Sequence, residues 1–125
     1  MNPKQQSVSW DEIEDACFYI AKWAEDLQSA GNFEFSGIWG PARGGWIPGV
    51  ILSHKLNLKV FTEPRVRPLL IVDDIADTGG TLHSYSNLDG VYIATIFYHR
   101  QSSFEPDKWI HEKKDEWILY PWESK

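Results

Sequence analysis

The 125-residue sequence predicts an α/β fold of three layers, a mainly parallel central sheet flanked by helices. Helical and strand patterns alternate through the middle of the chain, as parallel strands joined by helical crossovers require. The run "LLIVDD", Leu69 to Asp74, is apolar without interruption until its two acids, the pattern of a strand covered on both faces. Two strand patterns end in glycine turns, "PARGG" and "IADTGGT", and each turn leads into a helix.

Ser9 followed by Glu12 is a capping box that opens the first helix. Behind it Ile13, Cys17, Ile20, Ala24 and Leu27 recur at helical spacing, with Gly31 as the stop. "FSGIWG" reads as a short buried strand, "PARGG" as a turn, and "WIPGVILSHKLN" as a helix with Pro48 early, where proline is tolerated. "LKVFT" is the next strand pattern, and "EPRVRP" is a connection stiffened by two prolines. After "LLIVDD" and its turn, "LHSYSNL" reads as a brief helix and "VYIATIFYH" as a strand. "FEPDKWIHEKKD" reads as a charged loop, and a last strand centres on "EWILYPW". No repeat or linker interrupts the chain, so residues 1–125 are expected to form a single domain.

A net charge of −6 argues against broad binding to nucleic acid or to an anionic membrane. No apolar run approaches the roughly 20 residues of a membrane span. The single cysteine, Cys17, fits a reducing compartment, and a cytoplasmic protein is expected.

The chemistry concentrates in "LLIVDDIADTGGTL". In open α/β sheets, ligands gather at the carboxyl ends of strands, where Asp73, Asp74 and Asp77 fall here. Gly79 and Gly80 let the backbone turn tightly, so several N–H groups converge on one anion, helped by the Thr78 and Thr81 hydroxyls and the following helix start. Carboxylates repel that anion, so their own partners are neutral hydroxyls or a metal ion. A sugar phosphate has both features. The turn is not a Walker A loop, because no Gly-Lys-Ser/Thr follows the glycines.

"IVDDIADTGGT" resembles the phosphoribosyl-pyrophosphate (PRPP) loop of type I phosphoribosyltransferases. The resemblance implies that Asp73 and Asp74 hold the ribose hydroxyls, directly or through Mg²⁺, with Asp74 as the metal ligand. It implies that Ala76, Asp77, Thr78, Gly79, Gly80 and Thr81 wrap the 5′-phosphate, and that Asp77 is the general base on the purine. "GPARGG" resembles the family's pyrophosphate turn, with Arg43 and Gly44 on the leaving group and a strained peptide bond at Ala42–Arg43. "DEWILYPWE" resembles the tail of the short xanthine-guanine and hypoxanthine-guanine members, in which Trp117 stacks on the base and the Ile118 backbone reads its edge. The plainer alternative is a core strand of Trp117, Ile118 and Leu119 with Trp122 packed beside it.

Two departures accompany the resemblance. Family members acting on 6-oxopurines place a lysine at the end of the strand after the PRPP loop, where it donates to the exocyclic oxygen at position 6; His99, in preference to Arg100, fills that position here as the base-binding donor the resemblance implies. Few residues lie between Arg43 and Asp73, so the hood and lid are reduced, and Arg65 and Arg67 are the cations left there. The expected activity is transfer of the phosphoribosyl group from PRPP to a purine base, with Mg²⁺ as cofactor and a homodimer as the assembly. A non-catalytic PRPP or nucleotide sensor on the same fold is the alternative.

Overall fold

The computed structural model describes residues 4–41 and 43–123, apart from the side chain of Thr81. Gln5–Ser7 forms a short strand, β1. The capping box then opens helix α1, Trp10–Gly31: Glu12 N–H donates to the Ser9 hydroxyl at 3.1 Å, and Ser9 N–H donates back to the Glu12 carboxylate at 3.3 Å. The helix runs through Gly31 and stops at Asn32, whose left-handed backbone (φ 54°) turns its N–H back onto the last carbonyls. Strand β2 is Gly37–Trp39, helix α2 is Trp46–Leu56, and strand β3 is Leu69–Ala76. A single helical turn, α3, spans Gly80–His83, followed by strands β4 (Val91–Tyr98), β5 (Lys108–Glu112) and β6 (Trp117–Leu119).

The central sheet has the order β2-β3-β4-β5, and every neighbouring pair is parallel. Its register explains why "LLIVDD" is apolar throughout. Leu70 and Val72 face α1 and α2 in one core with Ala94 and Ile96, while Leu69 and Ile71 face a smaller cluster with Ile93 and Leu82. Both faces are covered, so alternate residues are apolar on each.

The structure departs from the expected elements in four places. "LKVFT" contributes only an isolated bridge, Val60 against Ile38. "KWIHE" is a strand rather than loop, and its charged flanks concealed it. The brief helix begins at Gly80 instead of Leu82 and lasts four residues, so its dipole is slight. β1 had no local signal, because it exists only by pairing with β6 in a separate two-stranded parallel sheet. Trp117 N–H donates to Lys4 O at 2.7 Å and Val8 N–H to Leu119 O at 2.9 Å, which carries the C-terminal tail over the edge of the main sheet.

Cys17 is fully buried under α1, and burial, with the charge of Glu14 adding to it, pushes its thiol up to about 12. Because the thiolate is the reactive form, the native protein is expected to resist thiol reagents at about pH 8 until it unfolds. Labelling that proceeds faster than unfolding would contradict this burial. No helix among the described residues is long and apolar enough to cross a membrane.

Candidate active site

Parallel strands deliver their carboxyl ends to one edge, and the site is built there. β3 carries Asp73, Asp74 and Ala76 as strand residues, with Asp77 just beyond. Asp74 N–H donates to Asp73 Oδ1 at 2.8 Å, which fixes the two carboxylates side by side. Burial and then the neighbouring Asp74 charge push the Asp73 carboxyl up to about 8; burial also raises Asp74. Neither acid forms an ion pair among the described residues, so nothing offsets the burial that favours the protonated form of each.

Gly79 makes the turn with φ 84°, and any side chain there would run into the Ser103 hydroxyl. Among the described residues, the Thr78 and Gly79 amides carry no hydrogen bond, and the Gly80 N–H reaches only the Thr78 hydroxyl, at 3.3 Å. These donors are thus left to an outside acceptor. The turn lines a cavity of about 110 Å³ together with Asp73 and Asp77. The main chain of Thr81 lies in α3; its hydroxyl is outside the described set.

The "PARGG" turn reaches the same edge from β2. A Cβ on Gly44 would collide with the Asp74 carboxylate, so only glycine brings this turn against the acids. Arg43 is exposed and makes no ion pair among the described residues. It lines a cavity of about 530 Å³ with Gly44, Asp74 and Trp122. The Ala42–Arg43 peptide lies outside the described residues.

A third cavity, about 190 Å³, is bounded by Asp74, Asp77, Trp117 and Ile118. Trp117 is 58% exposed while Ile118 is buried, as β6 alternation requires when one face turns to the cavity and the other to the core. His99, just past β4, donates its main-chain N–H to Ala76 O at 2.9 Å, and its ring Nδ1 lies 2.8 Å from Asp77 Oδ1. The structure therefore turns His99 onto the acid. Arg100 is engaged elsewhere, by Glu112 and the Trp109 ring. Arg67 bonds Asp89 O at the opposite end of β3, and Arg65 pairs with Glu63 at 2.6 Å, so neither reaches the acids.

Asp74 borders the 530 and 190 Å³ cavities, and Asp77 borders the 190 and 110 Å³ ones. The three hollows meet at this pair of acids. A larger depression of about 690 Å³ lies far along α1, around Glu25, Gln28 and Glu34, and has no cation or convergent amides.

This arrangement of parallel strands and helices recurs in solved structures. The purine phosphoribosyltransferase from Pyrococcus horikoshii superposes with a TM-score of 0.77 at 27% identity, covering 98% of this chain and 95% of that one. The chain has the type I phosphoribosyltransferase fold. Helicobacter pylori xanthine-guanine-hypoxanthine phosphoribosyltransferase shares that fold with a TM-score of 0.79 at 19% identity, covering 98% and 94%. Among curated proteins, a xanthine-guanine phosphoribosyltransferase from Cereibacter sphaeroides is 27% identical over 93% of this chain and 85% of its own length. One from Nitratidesulfovibrio vulgaris is 29% identical over 72% and 70%. No protein-family model matches the sequence.

Sequence reasoning missed two residues that line this carboxyl edge. Lys113 follows β5 and was hidden in the stretch read as a charged loop; its Nζ lies 3.4 and 3.3 Å from the two Asp77 oxygens. Tyr120 also lines the 190 Å³ cavity, and its hydroxyl is buried without a hydrogen bond among the described residues. Burial, with Asp74 and Asp73 adding their charge, holds that phenol protonated. An unsatisfied buried hydroxyl costs about 1–3 kcal/mol. Tyr120→Phe is therefore expected to raise the stability of the ligand-free protein by about 1 kcal/mol in urea titrations. A loss of stability would mean that the hydroxyl has a partner.

Proposed function

We propose that the protein transfers the 5-phosphoribosyl group of PRPP to a purine base, preferring 6-oxopurines (guanine, hypoxanthine or xanthine), and releases pyrophosphate. The observation that carries this is the meeting of three cavities at Asp74 and Asp77, one lined by unbonded amides, one by an arginine, and one by an exposed Trp face. A single ligand with phosphate, pyrophosphate and an adjoining flat base matches that set.

The 5′-phosphate accepts from the Thr78, Gly79 and Gly80 amides at the Ala76–Thr81 turn. Asp73 and Asp74 accept from the ribose hydroxyls, whose protons complement two acids with raised affinity for protons. Arg43, a planar fork of donors, takes the pyrophosphate oxygens as negative charge grows on them, and Gly44 allows close approach. The base stacks on Trp117, an interaction worth about 1–3 kcal/mol, with Ile118 main-chain groups at its edge.

As N9 of the purine forms its bond to C1′, the C1′–O bond breaks and the pair of electrons leaves with pyrophosphate. Asp77 receives or steadies the proton on N7, the role its place between the phosphate and base cavities supports.

Adjacent hard-oxygen donors at Asp73 and Asp74 fit Mg²⁺, which commonly takes one or two carboxylates together with substrate oxygens. When bound, Mg²⁺ supplies charge that offsets the leaving pyrophosphate. The enzyme is expected to act in the cytoplasm as a homodimer.

The test is to incubate the protein with Mg²⁺, PRPP and each of guanine, hypoxanthine, xanthine, adenine, uracil and orotate, and to measure pyrophosphate. Turnover confined to oxopurines is expected. Saturable PRPP binding with no turnover of any base would overturn the catalytic reading in favour of a sensor, which the enzymes among its relatives do not favour.

A further inference from the structure

The base cavity holds a cation whose function is not exhausted by its neighbours. Lys113 N–H donates to Tyr98 O at 2.8 Å, which fixes the residue at the carboxyl edge beside the end of β4. Its side chain is only 15% exposed and lines the cavity with Trp117, Ile118 and Tyr120. Asp77 already receives a 2.8 Å contact from His99, whereas the Lys113 ammonium stands 3.3 and 3.4 Å from its oxygens. Charge-assisted N–H···O bonds settle near 2.7–2.9 Å. His99 is thus the close partner of the acid, and Lys113 is a slack one with donors to spare.

We infer that Lys113, rather than His99, selects the base: its ammonium donates to an exocyclic oxygen of the purine stacked on Trp117 and faces a 6-amino group with no acceptor. This rests on the purine phosphoribosyltransferase reading above. An ammonium has three donors and nothing that accepts, so an oxo group satisfies it and an amino group leaves two donors opposed. Sites that hydrogen-bond one substituent reject the analogue lacking it far more strongly than apolar pockets do. His99 braces the Asp77 carboxylate instead.

The experiment compares wild type, Lys113→Met and Lys113→Arg with hypoxanthine and adenine, which differ at that substituent. Methionine keeps most of the side-chain stem and removes the charge. Lys113→Met is expected to lose about 10- to 100-fold in kcat/KM for hypoxanthine, through the KM of the base, and to lose the preference over adenine by the same factor. The KM for PRPP should stay unchanged, and Lys113→Arg should recover much of the preference. If kcat falls for both bases while the preference persists, Lys113 merely holds Asp77 and the assignment is overturned. Should the Met variant turn over neither base, calorimetric affinities for IMP and AMP replace the rates; an unchanged ratio between them overturns the assignment too. A wild type inert toward every base would remove the enzymatic reading and this one together, whereas a selective wild type with an equally selective Met variant removes Lys113 alone.

Discussion

Asp77→Asn is expected to lower kcat by about 10²–10⁴-fold while changing PRPP affinity far less, the range that general acid–base groups contribute. The asymmetry follows from position. Asp77 borders the cavity of the unbonded amides and the cavity of Trp117; in the proposed reaction it faces the base, and the main chain beside it does most of the phosphate holding. Asparagine preserves the size and one acceptor for His99 or Lys113, so the local frame stays, but it no longer takes a proton. Steady-state kinetics beside calorimetric PRPP titration separates the two effects. Equal losses in kcat and PRPP affinity would show that Asp77 serves the phosphate rather than the proton.

The second large effect is on stability and its pH dependence. Asp73 holds its proton up to about 8 in the fold, chiefly because it is buried and next because Asp74 is charged beside it. An ordinary aspartate in the unfolded chain loses its proton near 3.9. Below about pH 4 both states are protonated and the contribution to stability is fully present. As pH rises from there the unfolded state releases its proton first, so the folded state binds more protons and stability falls until the folded carboxyl ionises near 8. Asp73→Asn keeps an acceptor for the Asp74 N–H and removes the titration. In the ligand-free protein it is expected to be the more stable form at about pH 8.5, by several kcal/mol as an order of magnitude, with the gap closing toward about pH 4. Urea midpoints of both proteins across that range measure it, and a constant difference would refute the cause. The same substitution should weaken PRPP binding, since the burial that destabilises the acids is what prepares them for hydroxyls or a cation.

Local signals were legible where a few consecutive residues determine a shape. The capping box at Ser9 and Glu12, the apolar β3 and the glycine turn at Gly79 each depend on neighbours in sequence, and all three form as the sequence predicts. β1 and β5 were not legible. β1 is a strand only because the distant β6 pairs with it, and β5 has charged flanks that mask its two apolar residues.

The sequence by itself determined the parallel α/β architecture and the glycine turn that follows the acids of β3, since strand periodicity, helix caps and turn chemistry act over a few residues. Only the tertiary structure decided what surrounds that loop. Parallel register set Lys113 and His99 side by side against Asp77, packing pressed Gly44 onto Asp74, and burial changed the proton affinity of Asp73. Those outcomes depend on distances between segments remote in the chain, and on the water that packing excludes between them.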